Sequence, residues 1–162
     1  FTGADRRKKG QLELSHKGTL FIDEVGEIPK SIQVKLLRVL QEKEIERVGD
    51  SQKRKVDIRI VAATNKKLYS LVSEGHFRQD LYYRLNVISI HIPPLRDRKE
   101  DLAPLCKHFM RKHAALNGNE EIEINGGILE QMHRYEWPGN IRELENIVER
   151  AVALSDDTEI SV

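Results

Sequence analysis

The sequence predicts an α/β fold with a mostly parallel sheet, followed by a small helical bundle. Thr19-Leu20-Phe21-Ile22 is a continuous apolar run closed by Asp23-Glu24, the pattern of a strand buried on both faces of a sheet. Up to residue 92, strand-like runs alternate with stretches of helical periodicity, which favours helices packed on parallel strands. Beyond Pro93-Pro94 only helical periodicity remains.

After the break at Pro29, Ile32, Leu36, Leu37 and Leu40 mark one face of an amphipathic helix, and Lys35, Arg38, Gln41 and Glu42 fill the other. Residues 45–48, the polar Gly49-Asp50-Ser51, and the alternating Val56, Ile58 and Ile60 read as strand, turn and strand. The second of these strands is expected to run on through Val61-Ala62-Ala63 to Thr64-Asn65. Helices over 68–73 and 78–84 and a strand over 87–92 complete this part. Two adjacent prolines remove two backbone donors and bias the residues before them toward extended conformation, so the boundary is placed there. This gives subdomains 1–93 and 94–162. In the second, Asp97 and Glu100 have the spacing of a capping box ahead of a helix over 102–116, which Asn117-Gly118-Asn119 ends. Another helix covers 127–135. Trp137-Pro138-Gly139 then turns the chain into a third helix, capped by Asn140 with Glu143 and running to Leu154.

Composition excludes several classes of function. The 27 basic and 26 acidic residues leave a net charge of +1, so no overall basic field draws nucleic acid. No apolar run approaches the roughly 20 residues that a spanning helix needs, and no membrane partner is expected. The single cysteine, Cys106, excludes an internal disulfide and a cysteine-based zinc site and fits a reducing, cytoplasmic setting. Cys106 sits among apolar helix positions and reads as a buried thiol. The six histidines show no ligand spacing, since His108 and His113 do not share a helix face. The runs Arg6-Arg7-Lys8-Lys9 and Lys53-Arg54-Lys55 read as solvated faces.

Chemistry is concentrated at strand ends and in a few arginines. A parallel strand ending in Asp23-Glu24 puts two carboxylates at the carboxyl edge, where open α/β sheets bind ligands. Consecutive strand residues point to opposite sides, so one carboxylate can hold a metal ion while the other orients a water for attack on a phosphoryl group. By itself such a pair is more often a solvated strand end or a helix cap. Asn65 ends the next apolar strand, either as a turn former or as an amide beside the same edge. Arg78 and Arg84 are separated by about 240° of rotation on one helix and so have different partners, surface pairing with Asp80 being the ordinary one. Arg142 lies in the first turn of its helix, where the macrodipole disfavours a cation. Glu143 and Glu145 are candidate compensators, as is a phosphate.

Taken together, these segments resemble the AAA+ ATPase domain of sigma-54-dependent transcriptional activators, the NtrC-like bacterial enhancer-binding proteins. Phe1-Thr2-Gly3-Ala4 is similar to the tail of the family's Gly-Ala-Phe-Thr-Gly-Ala loop, and 18–24 to its Walker B strand. Residues 35–41 are similar to the helix that follows. Ala63-Thr64-Asn65 resembles sensor I, residues 77–87 the arginine-finger segment, and residues 93–98 and 137–144 the linker and sensor II.

The resemblance implies a partial AAA+ parallel-sheet core followed by a small α-helical lid. It implies that Asp23 coordinates Mg²⁺ on ATP, that Glu24 polarises the attacking water, and that Asn65 links the γ-phosphate to loop movement. Arg78 and Arg84 would reach a neighbouring subunit's site, and Arg142 would contact nucleotide from the lid. Phe1, Thr2, Gly3 and Ala4 would belong to the loop that grips sigma-54 on its RNA polymerase holoenzyme. ATP hydrolysis in a hexameric or heptameric ring would drive promoter opening, with DNA held by a separate domain.

The chain opens without a methionine inside a motif, as expected of a piece of something longer. It contains no Gly-x-x-x-x-Gly-Lys-Ser/Thr pattern, the loop whose backbone donors and lysine cradle β- and γ-phosphates, so the piece alone is expected to be inactive. Lys17-Gly18 stands where the family often has two glycines. Two other classes of function fit parts of the pattern. One is a different AAA+ machine, which the Phe-Thr-Gly-Ala start and Tyr82-Tyr83-Arg84-Leu85 disfavour, and the other is a non-catalytic oligomerisation module.

Overall fold

The first unit is built on a parallel pair of strands with helices against one face. In chain order it contains α1 (Gln11–Leu14), β1 (Gly18–Ile22), α2 (Lys30–Glu42), β2 (Glu44–Glu46), β3 (Lys53–Lys55), β4 (Ile58–Ala62), α3 (Leu68–Ser73) and α4 (Gln79–Leu85). The computed structural model describes residues 10–47, 52–117, 123–124, 126–154 and 159–160. The chain divides into two compact units, Phe1–Ser89 and Ile90–Val162.

β1 and β4 pair in parallel, in register from Gly18 with Ile58 to Ile22 with Ala62. One face of this pair is covered. Ile22 and Ile60 pack on a core of Val25, Leu36, Leu37, Phe77 and Leu81 drawn from the helices and their loops. On the other face, Phe21 is 61% exposed and Val61 40%. The expected burial on both faces therefore does not hold, because no described element lies over Phe21 and Val61. The buried face of α2 is also turned from the one expected. Gln33, Leu36, Leu37 and Val39 are buried, whereas Ile32 is 45% exposed.

The strand read from Val56 to Asn65 is confined to β4, Ile58–Ala62, and a separate short strand, β3, precedes it. Lys53–Lys55, taken from sequence as a solvated basic run, pairs antiparallel with Glu44–Glu46. The chain changes partners at Val56-Asp57. Val56 donates its N–H to Lys43 O at 2.7 Å, while Asp57 O accepts the N–H of Lys17 at 2.7 Å and its N–H meets His16 Nδ1 at 3.1 Å. The basic strand is held by acids: Lys53 pairs with Glu44 at 3.4 Å and with Glu42 at 3.8 Å. The turn expected at 49–51 lies outside the described residues.

No strand forms over 87–92. Ile88 and Ile90 are each 84% exposed, and no described strand pairs with the segment. Apolar alternation makes a strand only where a ladder partner satisfies its backbone.

The second unit comprises α5 (Leu102–Asn117), the short parallel pair β5 (Glu123–Ile124) and β6 (Glu159–Ile160), α6 (Gly126–Arg134) and α7 (Asn140–Leu154). Leu102, Cys106, Phe109 and Met110 of α5 pack with Leu144, Val148 and Val152 of α7 around Leu95 and Trp137. Every third or fourth residue of each helix faces inward, as a bundle requires. Burial pushes the Cys106 thiol up to about 11, which agrees with a packing role and disfavours a nucleophile.

Both expected capping boxes fail, for different reasons. Residues 95–97 and 99–101 form two short 3-10 turns ahead of α5 without a side-chain cap, and Asp97 lies against Arg96 at 3.9 Å. At α7, Asn140 Oδ1 accepts the N–H of Leu95 at 2.8 Å and so ties the start of the unit to its last helix. Glu143 does reach back, but to the N–H of Gly139 at 2.8 Å.

Candidate active site

The parallel register brings two loops to one carboxyl edge. Beyond β4, Ala63 donates its N–H to Ile22 O at 2.8 Å, and beyond β1, Val25 donates to Ala63 O at 2.9 Å. Asp23-Glu24 and Thr64-Asn65 therefore leave the sheet side by side. Asp23, Glu24 and Asn65 are all exposed there.

Backbone conformation marks this edge as special. Glu24 sits in the left-handed region at φ 50°, ψ 44°, a conformation costing about 1 kcal/mol or more for a residue with a Cβ. Asp23 Oδ1 accepts the N–H of Glu24 at 2.9 Å and offsets part of that cost. Gly26 lets the turn press on the neighbouring loop: a Cβ there would stand 3.0 Å from Thr64 Oγ1 and 3.3 Å from Leu71 Cδ1. Lys66 Nζ binds Glu27 Oε1 at 2.7 Å and adds a second tie between the loops.

Three arginines singled out by sequence stand in three different states. Arg78 is the residue before α4 and grips Asp80 with two bonds, Nη2 to Oδ2 at 2.6 Å and Nε to Oδ1 at 3.0 Å. The guanidinium holds the Asp80 carboxyl below its usual range. Arg78, Gln79, Asp80 and Tyr83 line a shallow open depression. Arg84, in the last turn of α4, is exposed and has no ion pair among the described residues.

Arg142 is exposed in the first turn of α7, and neither candidate compensator touches it. Glu143 is taken by Gly139 and by the Tyr135 hydroxyl at 2.9 Å, while Glu145 is taken by Lys112 at 2.6 Å. Among the described residues no carboxylate pairs with Arg142, so the cost of a cation at this helix N-terminus is not offset by an acid. Residues 1–4 lie outside the described residues.

Gln33 and Gly26 matter here and escaped the sequence reading. Gln33 had a signal, since a polar residue at positions three and four before Leu36 and Leu37 falls on the apolar face. Gly26 had none, because its partner Thr64 is distant in sequence.

Asp23 is suited to a hard cation. Only one of its oxygens is engaged, and among the described residues no cluster of three potential ligands exists. Mg²⁺ bound to a nucleotide matches that donor set, taking one or two carboxylates and filling its sphere with phosphate oxygens and water.

An α/β unit whose sheet edge carries Asp23 and Glu24 is joined in sequence to a helical unit that carries Arg142 in the first turn of its last long helix. The sequence matches the Sigma-54 interaction domain over residues 1–91 and the AAA+ ATPase lid domain over residues 96–162. The chain belongs to the sigma-54 interaction domain family. It is 51% identical to the regulatory protein AtoC of Escherichia coli over 96% of this chain and 34% of AtoC. It is 53% identical to a Nif-specific regulatory protein of Herbaspirillum seropedicae, over 95% of this chain and 28% of that protein. The chain thus spans about a third of the length of the curated relatives it matches. The crystal structure of NtrX from Brucella abortus superimposes with a TM-score of 0.91 at 38% identity, covering 97% of this chain and 37% of that one. NtrX in complex with ATP superimposes at 0.87 and 40% identity, over 93% of this chain and 35% of that one.

Proposed function

We propose that this chain is the hydrolytic and lid portion of a cytoplasmic ATPase that acts on sigma-54 RNA polymerase holoenzyme. Hydrolysis in a ring of subunits is coupled to remodelling of the closed promoter complex. The single observation that carries the reading is the Val25 to Ala63 bond, which sets Glu24 beside Asn65 at one sheet edge. Residues 1–93 belong to the hydrolytic subdomain and 94–162 to the lid. A separate domain contacts DNA.

ATP is the substrate. Glu24 accepts a proton from the water that attacks the γ-phosphorus; the new P–O bond forms as the bond to the β-phosphate oxygen breaks, leaving ADP and phosphate. Asp23 directly follows the strand, whereas Glu24 sits in the left-handed turn beyond it, and the two carboxylates take different tasks. Asp23 would hold Mg²⁺, which would supply positive charge against the phosphate oxygens. Asn65 reports the γ-phosphate state to the loops through the Ala63 and Thr64 contacts. Arg78 and Arg84 act on a neighbouring subunit's nucleotide, where an arginine supplied in trans neutralises developing charge. Arg142 contacts phosphate from the lid. Phe1, Thr2, Gly3 and Ala4 grip sigma-54.

In the whole protein that carries this chain, Glu24→Gln is expected to keep ATP binding and to lower hydrolysis by about 10²- to 10⁴-fold. Undiminished hydrolysis overturns the role of Glu24. Substituting Phe1 or Thr2 in the same protein should spare hydrolysis and abolish capture of sigma-54. Retained capture overturns the loop assignment.

A further inference from the structure

Gln33 is the only uncharged polar side chain buried in the described residues of the first unit, 1% exposed on the inner face of α2. It makes three bonds to the backbone of two different loops. Nε2 donates to Ile28 O and to His76 O, each at 3.0 Å, and Oε1 accepts the N–H of Arg78 at 2.9 Å. Ile28 closes the turn that begins at Glu24. His76 and Arg78 belong to the loop that carries Arg78 into α4. The same loop is held from α3, where Leu71 O accepts the N–H groups of His76 at 2.8 Å and Phe77 at 3.0 Å.

We infer that Gln33 is a positioning residue for Arg78, fixing the backbone from which that arginine projects and tying it to the Glu24 turn of its own subunit. This rests on the reading of Arg78 as an arginine acting on a neighbouring site. The chemistry requires a primary amide. Two carbonyls need donors and one N–H needs an acceptor, and no other side chain of this length offers both at one terminus. Methionine fills the same space and leaves all three backbone groups without partners. Glutamate keeps the acceptor for Arg78 and loses both donors. Because one planar group serves both loops, a shift of the Glu24 turn pulls on the Arg78 backbone through the amide, with no other side chain between them.

The test is made in the whole protein with Gln33→Met, Gln33→Glu, Arg78→Ala and the double variant Gln33→Met/Arg78→Ala. Gln33→Met is expected to leave ATP affinity within about twofold and to lower kcat by about 10- to 100-fold, the range for displacing a reacting group by about an ångström. Gln33→Glu should fall between wild type and Gln33→Met, and it carries the comparison if the methionine variant does not fold. Arg78→Ala should lose about 10³-fold or more, and the double variant should lose no more than Arg78→Ala alone. Losses that multiply in the double variant overturn the inference, as do wild-type turnover in Gln33→Met or an equal loss of nucleotide affinity. Wild-type turnover in Arg78→Ala overturns the reading of Arg78 itself and this inference with it. Loss in Arg78→Ala alone overturns only the inference.

Discussion

Gly26 stands so close to Thr64 that a Cβ on the glycine would lie 3.0 Å from the threonine hydroxyl oxygen. The contact joins the turn after the carboxylates to the loop that carries Asn65, and it exists because Val25 and Ala63 extend the parallel ladder past the ends of both strands. Gly26→Ala is therefore expected to destabilise the chain by about 1 to 3 kcal/mol, as overpacking does. Adding Thr64→Ala removes the clashing oxygen and should recover part of that loss. Urea denaturation of the three variants measures the coupling, and strictly additive losses would show that the contact is not what Gly26 protects.

Trp137 is the largest fully buried side chain of the second unit, 2% exposed, with its indole N–H donated to Met132 O at 2.9 Å. Truncation to alanine empties the centre of the bundle and should cost about 3 to 5 kcal/mol. Trp137→Phe keeps most of the volume and forfeits the hydrogen bond, so its loss should be smaller. Thermal unfolding followed by circular dichroism ranks the pair; an alanine variant as stable as the phenylalanine one would mean the cavity closes at no cost.

Tyr135 donates its hydroxyl to Glu143, and that hydrogen bond, together with the carboxylate's charge, raises the phenol above its ordinary value. The sign follows from which form keeps the bond: only the neutral phenol donates. Its stabilising contribution is complete below the ordinary phenol range and disappears as pH climbs through the raised value. Glu143→Gln removes the charge and should bring the Tyr135 titration down toward normal. The ¹³Cζ resonance of Tyr135 followed against pH reads this directly, and an unchanged midpoint would assign the shift to something other than Glu143.

The 162-residue chain by itself should release no phosphate from ATP, since its sequence holds no Gly-x-x-x-x-Gly-Lys-Ser/Thr loop to supply backbone donors to β- and γ-phosphates. A phosphate-release assay on the purified chain decides this. Turnover that disappears on Glu24→Gln would show that the edge described here suffices without such a loop.

Much of the fold was legible because local periodicity and local breakers decide it. The strand closed by Asp23-Glu24, the helix after Pro29 and the helices on either side of Trp137-Pro138-Gly139 all announce themselves within short windows. The carboxylate pair was legible for the same reason, since a charged end on an apolar run is a local pattern. What failed depended on partners. The change of partners at Val56-Asp57 comes from Lys43, Lys17 and His16, and the missing strand over 87–92 comes from having no described ladder to join.

Sequence by itself therefore determined the class of elements, the paired carboxylates and the arginines, because residue type and spacing encode which groups are available. Tertiary structure alone decided how they are held. It placed Glu24 in a left-handed turn and, among the described residues, left Arg142 without an acid. It also put one buried amide, Gln33, between the Glu24 turn and the Arg78 loop. Hydrogen bonds and close contacts between segments far apart in the chain carry no local signature, and only folding brings their partners within reach.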